Sequence, residues 1–248
     1  MYKKGGISMN DKTKAGILIF LMSITFYMML TTPYTHALGD YILEFVGLKA
    51  WTGDYSGNHL TIIYFGILFM IFLHLVGKYV IDGLGIRIRS VFLIFVVLVT
   101  VFYSITGITA KNIKKNSSGL LAIGYNPAHS SMNYRYEDNK FVEFIAEFEL
   151  TNYSDEKKTF YLSIDSPFYR EDGIDPISFY TFDGDRAVFE LEGNETKLFL
   201  LSLDNYNVIW NRNFGSGGGT VQQLVLTSDK GNKVRLDNKN FFGFELSR

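Results

Sequence analysis

Three apolar stretches constrain the chain most: Ala15–Thr32 and Leu60–Gly77, of 18 residues each, and Ser90–Ala110, of 21, none holding an Asp, Glu, Lys or Arg. A helix rises about 1.5 Å per residue, so about 20 residues match a hydrocarbon core of about 30 Å. The apolar residues occupy all sides of these stretches rather than one stripe, unlike the helices of a soluble bundle. The expectation is a membrane region with spans at 15–34, 59–78 and 90–110, an N-terminal segment at 1–14, a loop at 35–58 and a short loop at 79–89.

Charge divides the chain in the same place. Residues 1–115 carry 11 Lys+Arg against 5 Asp+Glu, a net of +6, whereas residues 116–248 carry 13 against 20, a net of −7. The positive mean hydropathy of +0.09 comes almost wholly from the first region, which fits neither a single soluble domain nor a disordered chain. The absence of cysteine excludes a disulfide scaffold, a thiol nucleophile and thiolate metal sites. The acidic second half repels phosphate, so nucleic acid is not an expected partner.

Lysine and arginine near span ends resist translocation and set orientation. Lys3, Lys4, Lys12, Lys14, Lys78, Arg87 and Arg89 fall on one side, against Lys49, Lys111, Lys114 and Lys115 on the other. This predicts 1–14 and 79–89 in the cytoplasm, and 35–58 and the C-terminal region outside it, in the cell membrane of a bacterium. Trp51, Tyr55 and Tyr103 fit an outer aromatic belt. A second reading makes the first stretch a signal peptide cleaved near Thr35-His36-Ala37. Lys4-Gly5-Gly6 ahead of Met9 also reads as a translated ribosome-binding site, with Met9 as the start.

Beyond Ser117 the apolar period changes to two, the mark of strands with one buried face. Val142, Phe144, Ala146, Phe148 and Leu150 share one face, and Glu143, Glu147 and Glu149 the other. Phe160, Leu162 and Ile164 alternate again, and further strands read at Ile177–Phe182, Ala187–Leu191, Leu198–Leu203, Val221–Thr227, Lys233–Leu236 and Phe241–Leu246, separated by Asn-, Asp- and Gly-rich turns. The fold expected is three transmembrane helices followed by an all-β antiparallel sandwich at 119–248, joined by a polar linker at 111–118. AEFELTNYSDEKKTFYLSID and the later LEGNETKLFLLSL resemble the early and late strands of immunoglobulin-like extracytoplasmic modules of bacteria. The resemblance covers about 110 residues, implies a fold and names no ligand. Gly215–Gly219 lacks the following Lys-Ser/Thr of a phosphate cradle and reads as a flexible loop.

Chemistry-bearing clusters are few. His36, Asp40 and Glu44, spaced i, i+4, i+8, share one face of a short interfacial helix, with Leu38, Tyr41, Ile42 and Phe45 on the other. With His59, and Asp54 nearby, they are candidate ligands for a divalent cation. His74 lies inside the second stretch, where an ionisable group suggests function. Asp172, Asp175, Asp183 and Asp185 form acidic loop tips. His129 stands between Ala128 and Ser130 without a recognisable nucleophile motif.

The function expected is a non-catalytic binding or accessory module of the cell envelope. Its partners are the lipid bilayer and another envelope or membrane protein, with no cofactor. The alternatives are an envelope enzyme or metal-dependent factor using His36, Asp40, Glu44 and His59, and a small transporter or channel subunit.

Overall fold

The computed structural model describes residues 9–53, 57–164, 176–210, 215–237 and 240–246. The chain forms two compact units, Met1–Ile108 and Thr109–Arg248.

The first unit is helical. α1 spans Met9–Tyr27, α2 Leu38–Phe45 and α3 Leu60–Leu75, and α3 widens into a π-helical stretch at Val76–Asp82. α4 runs from Ile88 to Lys115. Ala15, Ile19 and Met22 of α1 pack against Val76, Val80 and Val91. Phe26 meets Phe69 and Phe95 at ring separations of 5.4 and 5.3 Å. The buried Ser23 and Thr25 hydroxyls donate to carbonyls four residues back, so neither brings an unpaired polar group inside.

Two helices, Leu60–Asp82 and Ile88–Lys115, are long and apolar enough to cross a membrane. α1, at 19 residues, is not one of them because of its charges. It carries Asp11, Lys12 and Lys14 in its first turns and ends at Tyr27, before the Met28–Thr35 turn region. The uncharged part, Ala15–Tyr27, is about 20 Å long against a hydrocarbon core of about 30 Å.

The second unit is an antiparallel β structure of eleven strands among the described residues. They are β1 Ile123–Glu137, β2 Lys140–Asn152, β3 Lys158–Ile164, β4 Ile177–Tyr180, β5 Val188–Leu191 and β6 Thr196–Ser202. β7 Asn207–Ile209, β8 Gly215–Gly219, β9 Gln223–Thr227, β10 Lys233–Asp237 and β11 Asn240–Leu246 follow. One sheet has the order β6-β2-β1-β8, and the other β11-β10-β9-β3-β4-β7, with β5 also paired to β3. Their inner faces share one core, in which Phe144, Ala146, Phe148 and Leu150 of β2 meet Phe160, Leu162, Phe179 and Leu226 of the facing sheet.

Several local features differ from the sequence expectation, each for a physical reason. Val142 points outward while Phe141 is buried, because the register slips between Arg135↔Glu143 and Tyr136↔Phe141 and leaves Val142 as an extra residue. Gly215–Gly219 is a strand, paired with β1 from Tyr136↔Gly215 to Met132↔Gly219. Glycine suits it because a Cβ on Gly217 would lie 3.1 Å from the Tyr134 ring, so β8 lies close over that ring. Residues 111–118 are not an extended linker. α4 continues to Lys115, and a 3-10 turn at Gly119–Ala122 feeds directly into β1.

Candidate functional site

The structure brings two of the four candidate metal ligands together. Asp40 opens α2, and Gly39 before it allows close approach, since a Cβ there would stand 2.6 Å from both the Met28 carbonyl oxygen and Thr61 Cγ2. The Asp40 side chain is 1% exposed. Its Oδ2 accepts from Trp51 Nε1 at 3.0 Å. Its Oδ1 accepts from Thr61 Oγ1 at 2.5 Å and lies 2.7 Å from His59 Nε2. Trp51 and His59 form an antiparallel bridge and stack their rings 4.1 Å apart at 9°. The first N–H groups of α3, from Leu60 and Thr61, donate to the Ala50 carbonyl, which anchors the start of that helix to the same loop.

His36 precedes α2, and Glu44 lies exposed on it; neither is among the Asp40 partners. Asp54 lies outside the described residues. Among the described residues no group of three or more His, Asp or Glu side chains is placed to hold a metal ion. Sequence reasoning missed Trp51 and Thr61, because an indole N–H and a threonine hydroxyl do not register in a search for ligands. Chemically, the buried carboxylate is met by donors from the loop and from α3, an arrangement that fastens three chain segments to one another.

A second buried charge sits at the other end of the chain's helical part. Lys114, in the last turn of α4 and four residues beyond the apolar run ending at Ala110, is fully buried within the second unit. Its Nζ donates to the carbonyls of Leu121, Ile123 and Phe242 at 2.8, 2.7 and 2.9 Å, and the Phe241 ring lies 5.6 Å away. Burial pushes the amine down to about 7. Three acceptors require three N–H donors, which only the ammonium supplies, so these carbonyls oppose that shift. Lys115 pairs with Asp155 at 3.0 Å, and Asn194 donates to the same carboxylate.

On the surface of the β unit, Pro127–His129 bulge out of β1, since the register passes from Asn126↔Glu149 to Ser130↔Phe148. Glu149 accepts from Asn126 Nδ2 at 2.7 Å and lies 3.0 Å from His129 Nδ1. These contacts, Asn126 first, hold its carboxyl below the usual glutamate range. The neighbouring Ser130 hydroxyl donates to the Pro127 carbonyl and accepts from Tyr125. His74 lies exposed on α3 beside Met70, Ile71 and Leu75. Asp172 and Asp175 lie outside the described residues, while Asp183 and Asp185 fall in the exposed turn after β4.

Comparison of the chain with models of protein families, with curated proteins and with solved structures finds no match to any of the three.

Proposed function

We propose that the chain is a multipass protein of a bacterial cell membrane. Three spans at 15–34, 59–78 and 90–110 carry an extracytoplasmic immunoglobulin-like module, which acts as a non-catalytic binding or accessory subunit for another envelope protein. One observation carries the reading: apolar side chains lie on opposite sides of the surface in the two units. Only 11% and 6% of the apolar windows in the two long helices are buried, a surface suited to lipid. The second unit instead encloses an apolar core between its two sheets and leaves Glu143, Glu147 and Glu149 of β2 outside it, an arrangement suited to water.

The order β6-β2-β1 facing β10-β9-β3 supports the immunoglobulin-like assignment, since it places the first two strands and a later one opposite a third strand joined to the closing hairpin. For α1 to span, residues beyond Tyr27 must add to its length within the bilayer. The non-catalytic reading rests on the two buried charges, whose polar atoms are occupied in holding chain segments together.

The test uses the absence of cysteine. A single Ser216→Cys change, at an exposed position of β8, is treated in intact cells with a membrane-impermeant maleimide. Labelling without permeabilisation is the expected result. Labelling only after lysis overturns the topology and with it the envelope role. Turnover of a cell-wall precursor or peptide by the purified chain overturns the non-catalytic part.

A further inference from the structure

α2 and the turn after it present an apolar surface outward. Phe45 is 91% exposed, and Tyr41, Ile42, Val46 and Leu48 are between 45% and 59% exposed. Asp40 causes this orientation: its carboxylate is drawn inward by Trp51, His59 and Thr61, so the opposite, apolar side of the helix must face away from the unit. A surface helix in water has the reverse arrangement.

The end of α2 is also closed in a way that dispenses with water. Gly47 takes a left-handed φ of 80°. Its N–H donates to the Glu44 carbonyl at 3.0 Å, and the Leu48 N–H donates to the Leu43 carbonyl at 2.8 Å. This double closure pairs carbonyls that a frayed helix end leaves to solvent, and an unpaired backbone group is costly in an apolar medium. The charged residues within 41–49 are Glu44 and Lys49, one on each side of the Phe45–Leu48 tip. Both side chains are long enough to reach a headgroup layer while the tip lies deeper.

We propose that Tyr41–Leu48 is a lipid-binding wedge, which places Phe45, Val46 and Leu48 at the boundary between headgroups and acyl chains of the bilayer that holds α3 and α4. The inference rests on reading α3 and α4 as membrane helices. A bilayer is the occupant favoured because the wedge's backbone is already paired and α3, with its own exposed apolar surface, begins twelve residues after Leu48.

Three single-cysteine variants of the full chain, Phe45→Cys, Ile67→Cys in exposed mid-α3 and Ser216→Cys, are spin-labelled and reconstituted in phosphatidylcholine–phosphatidylglycerol vesicles. Collision with oxygen and with a water-soluble nickel chelate then reports depth. The expected result is that position 67 favours oxygen strongly, position 216 favours nickel, and position 45 lies between them, about 5–10 Å into the interface. Nickel access at 45 equal to that at 216 puts the tip in water and overturns the wedge. Shielding of 45 from both reagents assigns it to a second copy or another protein and also overturns it. If position 67 itself favours nickel, the membrane reading fails first, which separates the two failures. Val46→Cys repeats the measurement at a second site.

Discussion

Asp40 illustrates how one side chain organises its surroundings. Replacing it by Ala leaves the Trp51 and Thr61 donors and the His59 ring without their acceptor in a buried site. The expected cost is about 3 kcal/mol, read as a lower melting temperature of the detergent-solubilised chain. Thr61→Val removes one donor of the set and costs about 1 kcal/mol in the same assay. The network was half legible in the sequence. The i, i+4, i+8 spacing singled out Asp40 and, nearby, His59, but α2 is only eight residues long and His36 precedes it, so the three residues do not act as one helical face. Trp51 and Thr61 enter through the fold of the loop, which no helical period encodes. Glu149 adds a prediction in pH. Its carboxyl is held below the ordinary 4.5, so its contribution is present above that value and is lost as pH falls through the lower, folded pKa. Melting temperatures of the native unit and of Glu149→Gln therefore differ at pH 6 and draw together in acid; a gap that does not narrow as pH falls contradicts this.

Among the elements, most strands were readable. β2, β3, β4, β5, β6, β9, β10 and β11 each overlap a stretch that reads as a strand in the sequence, and β2 shows most plainly the period of two that a sheet with one buried face imposes. β1 escaped that pattern. Its inward residues include Tyr125, Met132, Tyr134 and Tyr136, and Pro127 and the bulge around it interrupt the count. β8 escaped because glycines carry no pattern at all; it is a strand through its pairing with β1 and its closeness to Tyr134. Gly217→Val forces a branched side chain against that ring, and β8 is expected to loosen at a cost of about 1–3 kcal/mol. Amide exchange should then quicken at 215–219 and leave β9 and β10 protected. The end of α1 at Tyr27 is not marked in the sequence, since an uncharged run shows where a helix is tolerated but not where the backbone turns out of it.

On the scale of the whole chain, the position of the unit boundary matters more than the composition shift that suggested it. The shift to polar sequence after Ala110 reads as a linker, yet the second compact unit begins at Thr109 and takes in the last two turns of α4. A fragment starting at Ser117 lacks Lys114, whereas one starting at Thr109 keeps it. The shorter fragment is expected to melt at a lower temperature even though both retain every strand. Lys114→Met within the longer fragment should reproduce most of that loss, about 2–4 kcal/mol, because three inward carbonyls lose a charged donor together.

The Lys114 contacts also carry a consequence in time. Two of its acceptors, Leu121 and Ile123, follow it within nine residues, but the third, Phe242, comes 128 residues later. During synthesis the lysine emerges long before its last carbonyl exists, and closing so long a loop belongs among the late, non-local steps of folding. Until β11 docks, one N–H of the ammonium must stay with water, so the site cannot become fully dry. The lysine thus acts as a check on completion, and a nascent or clipped chain without β11 retains a wet, unsealed edge where α4 enters the β unit.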